Sequence, residues 1–166
     1  RKYGIQCHIW KVNFNLGRAP EEFIEKLRKE GRLQVDKEGR EVLWLCPSHP
    51  ENFKLELDSM LEVVRKYDVD GIHFDYIRYP SENSCYCEGC RKRFEEEKGV
   101  KVENWPQDVI SGLLKELYGD WRREQLTKLV KAVSEEARKI KPNIKISAAV
   151  FASYPSCRES IGQDWT

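Results

Sequence analysis

The sequence predicts an α/β fold of parallel βα units, forming only part of a (β/α)8 TIM-type barrel. Three observations predict it. Apolar strand-like runs alternate with amphipathic helices, and that alternation implies right-handed βαβ units and a parallel sheet. Two of the runs are near-continuously apolar, as strands buried on both faces are. Only three framework strands fit in the 166 residues, whereas a complete barrel needs about 250. The remaining possibility is a small open sheet that leans on a partner.

The elements follow in order. Residues 3–14, YGIQCHIWKVNF, are rich in aromatic and β-branched side chains and read as the first strand. Ala19-Pro20-Glu21-Glu22 starts a short helix, with proline early and acids in its first turn. Leu33-Gln34-Val35 and residues 41–45 flank Asp36-Lys37-Glu38-Gly39, a hairpin turn. The hairpin, at about residues 31–46, reads as an insertion rather than a framework element. Ser48-His49-Pro50 opens a helix whose positions Phe53, Leu57, Met60, Leu61, Val64 and Tyr67 share one face. The second strand is VDGIHFDYIRYP, residues 69–80, followed by a cysteine-rich loop at 81–90. A helix is expected over residues 91–98. A second starts near Pro106, with Val109, Ile110, Leu113, Leu114 and Leu117 inward, and Gly119-Asp120 interrupts it. A third runs from about 121 to 141, with Leu126, Leu129, Val130, Val133, Ala137 and Ile140 on one face, until Pro142-Asn143 ends it. IKISAAVF, residues 144–151, is the last strand. The whole is expected to be one domain, 1–166, with no internal repeat or low-complexity linker.

Charge narrows the function. Charged residues make up 34%, but 29 basic and 28 acidic side chains nearly cancel. That balance argues against nucleic acid or an anionic membrane surface as partner, since both need a dense basic patch. No apolar run approaches the ~20 residues of a membrane span. Arg1-Lys2-Tyr3 opens straight into strand-like sequence without a signal-peptide pattern, and position 1 is not Met, so the residues leave the compartment open. Nothing in the motifs points to an organic cofactor.

Ligands of parallel α/β folds sit at the carboxyl ends of the strands. The residues expected there are His8, Trp10 and Asn13 on the first strand, Asp75, Tyr76, Arg78 and Tyr79 on the second, and Tyr154 after the third. Alternation puts Ile72, Phe74 and Tyr76 on one face of the second strand, with His73, Asp75 and Ile77 on the other. An aspartate ending an interior strand is expensive to bury unless paired or solvated in a cleft. Arg78 is close enough in sequence to hold Asp75 ionised. Asp75 is therefore the candidate catalytic carboxylate, and the alternative is a structural ion pair or loop cap. His73, deeper in the strand, reads as a core histidine. Trp10, Trp44, Tyr76 and Tyr79 are either stacking platforms for sugar rings or ordinary core.

The cysteines are the sharpest local signal. Cys85-Tyr86-Cys87-Glu88-Gly89-Cys90 gives C-x-C-x2-C, and Cys46 can supply a fourth thiolate. Four sulfurs in a tetrahedron suit a structural zinc. A disulfide, for instance of Cys46 with one of the trio, is the alternative. No histidine is placed to activate them, so they do not read as nucleophiles.

The run from LCPSHP at residues 45–50, through YDVDGIHFDYIRYP, to CYCEGCRKRFEE resembles the bacterial glycosyl hydrolase-like TIM-barrel family. The resemblance covers roughly residues 3–166, and DGIHFDYIRYP is its most specific part. It implies a glycoside hydrolase acting on a poly- or oligosaccharide, with Asp75 as the catalytic or substrate-binding carboxylate, in a secreted or periplasmic setting. The cysteine cluster also resembles that of the family 42 β-galactosidases, which implies Cys46, Cys85, Cys87 and Cys90 as one zinc set. Two departures stand out. The chain holds three framework strands, and glycoside hydrolysis normally needs two carboxylates. Glu82 and Glu159 lie on loops and are weak candidates for the second, which is otherwise expected on strands outside this sequence. Two further readings follow. One is a non-catalytic carbohydrate-binding or structural fragment of a barrel. The other is a zinc-stapled assembly module, a homo-oligomer or the partner of a missing barrel segment, whose sheet edges pair with another chain.

Overall fold

A computed structural model describes residues 3–165. Arg1, Lys2 and Thr166, the ends of the expected domain, lie outside the described residues. The elements run β1 (His8–Val12), α1 (Glu21–Lys29), β2 (Leu33–Val35), β3 (Glu41–Leu45), α2 (Pro50–Lys66) and β4 (Gly71–Asp75). They continue with α3 (Glu88–Lys98), α4 (Gln107–Ile110), α5 (Lys115–Ile140), β5 (Lys145–Ala148) and α6 (Ser156–Ile161).

The three framework strands form one parallel sheet in the order β1-β4-β5. His8 aligns with Gly71 and Val12 with Asp75; Gly71 aligns with Lys145 and Phe74 with Ala148. The hairpin β2-β3 is a separate antiparallel pair. Asp36 builds its turn: Oδ1 accepts from the Glu38 and Arg40 amides at 3.0 and 2.8 Å, and Oδ2 from Arg40 Nε at 2.8 Å. The hairpin also ties two strand exits together. Leu45 N donates to Phe14 O after β1, and Tyr86 N donates to Val35 O from the loop after β4.

One sheet face is covered and one is bare. Ile72 and Phe74 are buried in a single core with Met60, Leu61 and Val64 of α2 and Leu129, Val133 and Ala137 of α5. The opposite face carries His8, Trp10, Val12, His73, Asp75, Lys145 and Ser147, which are exposed or half-buried, and among the described residues no element packs over it. Trp10 is 63% exposed. The expectation of strands buried on both faces is therefore corrected. Continuous apolar sequence shows what a strand is suited to, and here three strands and one helical layer supply only half the cover. The last strand is also shorter than expected, with Val150 and Phe151 beyond it largely exposed.

Other boundaries shift as well. The first strand begins at His8 rather than Tyr3. α3 begins at Glu88, inside the cysteine motif, because the Cys87 sulfur caps it by accepting from the Cys90 amide. Gly119-Asp120 does not interrupt a helix, since α5 runs unbroken through both residues. An internal glycine costs only about 1 kcal/mol against alanine. Tyr118 and Trp121 stack at 5.4 Å on either side of it, and Phe94 meets the edges of both rings. That packing outweighs the local propensity. Leu113, expected inward, sits in the α4–α5 link fully exposed.

Candidate functional site

The carboxyl ends of β1 and β4 share an unusual backbone. Phe14 and Tyr76, just past the two strands, have φ of 60° and 54°. A bulky residue in that left-handed region costs on the order of 1–3 kcal/mol and persists only where the surroundings enforce it. The Phe14 carbonyl is held by Leu45 N at 2.8 Å, and Tyr76 N donates to Asp75 Oδ1 at 2.8 Å.

Asp75 ends β4 on the bare face, half-buried. Its main-chain carbonyl accepts from Asn13 N at 2.7 Å, which locks the two strand ends together. Among the described residues, its second carboxylate oxygen has no protein partner. The kink at Tyr76 breaks the alternation expected through residue 77, so Tyr76 is half-buried and Ile77 is buried.

Arg78 does not form an ion pair with Asp75, contrary to expectation. Its guanidinium carbon lies 5.2, 4.8 and 5.3 Å from the ring centres of Trp44, Tyr76 and Phe151. Nη1 donates to the Tyr79 and Pro80 carbonyls at 2.9 and 3.3 Å. Burial lowers its pKa, partly offset by the charges of Tyr76 and Asp75. Trp44 is buried and packs on Tyr76 at 5.6 Å, so Trp44 is not an open platform for a sugar, while Tyr76 is half-covered.

The other expected residues divide. Asn13 is fully buried, its Nδ2 donating to Glu56 Oε2 at 2.6 Å. Tyr79 belongs to the core: it is 1% exposed, its hydroxyl donates to the Arg122 carbonyl, and burial pushes its pKa well up. His8 starts β1, at the opposite end of the sheet from Asp75. A Cβ on Gly71 would lie 2.5 Å from the His8 ring. Trp10 is mid-strand on the bare face beside His73, whose Nδ1 lies 2.8 Å from Ser147 Oγ. That histidine is thus surface-bonded rather than core. Tyr154 is packed on Trp165 at 5.1 Å and hydrogen-bonded to Asp164. Glu82 and Glu159 come together, with Lys37, Arg122 and Arg123, around a cavity of about 310 Å³ whose walls do not include Asp75.

Sequence reasoning missed Glu56. This carboxylate is buried on α2, accepting from Lys11 Nζ at 2.5 Å, Asn13 Nδ2 at 2.6 Å and the Phe14 amide at 3.3 Å. The signal was present, because Glu56 sits three residues after Phe53 and four before Met60 in an apolar stripe. An acid there has to find partners inside.

The four cysteines converge. Cys46, Cys85, Cys87 and Cys90 are buried, with all four sulfurs within 4.8 Å of one another. Cys46 Sγ lies 3.4 Å from Cys90 Sγ and 3.8 Å from Cys87 Sγ. All are free thiols, which removes the disulfide alternative from this structure. Zinc–sulfur bonds of about 2.3 Å place tetrahedral sulfurs about 3.8 Å apart, so the set fits a divalent ion. Hydrogen bonds from Cys85, Cys87 and Cys90 hold the Cys46 thiol well below its usual range. Burial pushes Cys85 up, and the Cys46 sulfur pushes Cys90 up. Arg93 Nη2, 3.7 Å from Cys46 Sγ, and Ser48 Oγ, 3.3 Å from both Cys46 and Cys90, complete the surroundings.

The family model for Glycosyl hydrolase-like 10 matches residues 5–166. An S-layer-related protein of Niallia circulans is 30% identical over 122 residues, 69% of this chain and 8% of that protein. Glycosyl hydrolase YngK of Bacillus subtilis (strain 168) is 27% identical over 109 residues, 66% of this chain and 19% of that one. The PgaB (BpsB) glycoside hydrolase domain from Bordetella bronchiseptica superposes with a TM-score of 0.71 at 11% identity, over 98% of this chain and 47% of that one. That likeness shows the fold, and the chain spans less than half the length of each of these three proteins.

Proposed function

Because the chain belongs to the glycosyl hydrolase-like 10 family, we propose that it carries one side of a glycoside-hydrolase cleft, with Asp75 as a catalytic carboxylate. The observation that carries the reading is the end of β4. A half-buried aspartate is fixed there by Asn13 N and Tyr76 N, keeps one oxygen open, and is flanked by two enforced left-handed residues. The match to a glycosyl hydrolase family and the likeness to a glycoside hydrolase domain support the reaction class.

Asp75 would act as nucleophile or as general acid/base at a glycosidic bond of a poly- or oligosaccharide. A retaining reaction sets the second carboxylate about 5–5.5 Å away, and an inverting one about 6.5–9.5 Å. Glu82 and Glu159 face a different cavity, so the second carboxylate is best sought on the further strands of a longer protein. Trp10, open on the same sheet face, is the available stacking ring.

Zinc is the ion we assign to Cys46, Cys85, Cys87 and Cys90. Four thiolates leave no open position for a substrate, so its role there is structural. It would staple the loop after β4 to the end of β3 and the start of α3, fixing the wall beside Asp75.

The test is a glycan panel read by product mass and by thermal shift, on the chain and on Asp75→Asn. Turnover that vanishes in a variant melting like the parent supports a hydrolase centred on Asp75. Binding without hydrolysis, unchanged in the variant, would replace that reading with a carbohydrate-binding fragment.

A further inference from the structure

Among the described residues, Arg78 is a half-buried guanidinium that no carboxylate neutralises. Arg122 is a second, but it is buried over the Tyr79 ring and donates to the Ser81 and Ser84 carbonyls, whereas Arg78 reaches solvent. Arg28, Arg32, Arg40, Arg91, Arg123 and Arg158 each reach a carboxylate. Arg93 faces the cysteine sulfurs. Arg78 has only rings and two backbone carbonyls. Three aromatic faces and two hydrogen bonds through Nη1 leave the guanidinium one orientation. Among the described residues, Nε and Nη2 have no protein partner, and neither is sealed from solvent. A side chain serving only to fill the space between Trp44, Tyr76 and Phe151 would do so without desolvating a charge. A rigid guanidinium fork with free donors suits a planar or tetrahedral oxyanion, which it binds through paired hydrogen bonds.

We infer that Arg78 is an anion-reading subsite beside Asp75, and that the ligand is an acidic glycan carrying a carboxylate, sulfate or phosphate substituent. The inference rests on the carbohydrate-cleft reading of Asp75 and narrows its substrate class. Arg78 follows Asp75 by three residues on the same strand exit, so the substituent would sit on the sugar at Asp75 or on its neighbour. The cation also offsets the repulsion between such a ligand and the Asp75 carboxylate.

The experiment uses oligosaccharide pairs matched in sugar and linkage and differing in charge: oligogalacturonate with its methyl ester, and sulfated with desulfated oligomers. Phosphorylated and unphosphorylated oligomers form the third pair. Calorimetric titration compares the parent with Arg78→Met and Arg78→Lys at low and high salt. The parent is expected to bind the charged member of one pair at least about tenfold more tightly, the factor of a charge-assisted hydrogen bond. Salt should weaken that preference. Arg78→Met should abolish it, and Arg78→Lys, which keeps the charge without the fork, should retain part. If the methionine variant fails to fold, a reduced preference in the lysine variant decides the same point. The pair that responds identifies the anion. Equal binding of charged and neutral members overturns the acidic-glycan inference and leaves the cleft standing. A preference that survives in both variants overturns the assignment to Arg78. Silence across the panel overturns the inference and the cleft together.

Discussion

Glu56 holds the exit of β1 in place. Its carboxylate gathers the Lys11 ammonium, the Asn13 amide and the Phe14 backbone, and Asn13 in turn grips the Asp75 carbonyl. Removing one partner of such a network strands the others, which is costlier than the net worth of the bonds. Glu56→Ala is therefore expected to destabilise the chain by about 2–4 kcal/mol, read from the urea midpoint at constant slope. The partial exposure of Lys11 keeps the loss near the lower end. Glu56→Gln, which preserves shape, should cost less. A loss for Glu56→Ala below about 1 kcal/mol would mean that water solvates Lys11 and Asn13 instead. Asp75→Asn belongs at the same scale with the opposite expectation: its side chain accepts one backbone bond, so folding survives while turnover does not.

Two elements are set by packing against local preference. α5 passes through Gly119 because Tyr118 and Trp121 are locked on either side of it. A Cβ there would meet only the Arg123 guanidinium, at 3.3 Å. Gly119→Ala is accordingly expected to raise stability by about 0.5–1 kcal/mol, as helix propensity predicts. A loss on chemical denaturation would show that Arg123, tied to Asp120, cannot give way. The start of α3 is the second case. Cys87 caps it and Cys90 lies in its first turn, so the proposed ion would tie a helix end to the strand end at Cys46. Protein purified without added metal should carry about one equivalent of zinc by elemental analysis. Strong chelation should lower its melting temperature and unfold the loop at 81–90. Metal-free protein with an unchanged melt would remove the zinc assignment.

At the scale of the whole molecule, the sheet is three strands wide and covered on one face. β4 is hydrogen-bonded on both sides, while among the described residues β1 and β5 each pair with a strand on one side only. Amide exchange should follow that asymmetry, slowest at β4 and faster at the outward amides of β5, since exposed edges open locally. Uniform protection across the three strands would show that another copy or another segment covers the edges. The chain spans 8%, 19% and 47% of the three similar proteins.

Much of this was legible in sequence, and the reason is local. Strand and helix periods, the Asp36 turn and the C-x-C-x2-C spacing are properties of a few consecutive residues, which is enough to set the parallel α/β class, the hairpin and the cysteine trio. Cys46, 39 residues before Cys85, was only a candidate fourth ligand until the fold brought it to the other three. The DGIHFD run placed Asp75 at a strand end for the same reason. Tertiary structure alone decided which side chains Asp75 and Arg78 meet. Sequence proximity suggested an ion pair, but Trp44 from the hairpin and Phe151 after β5, 34 residues before and 73 after Arg78, close around the guanidinium instead. Nor could periodicity send Tyr79 into the core or His8 to the far end of the sheet, because a kink at Tyr76 and a strand start at His8 depend on distant partners. A covalent neighbour three residues away is constrained only in distance, while the direction in which it points is fixed by whatever packs against it.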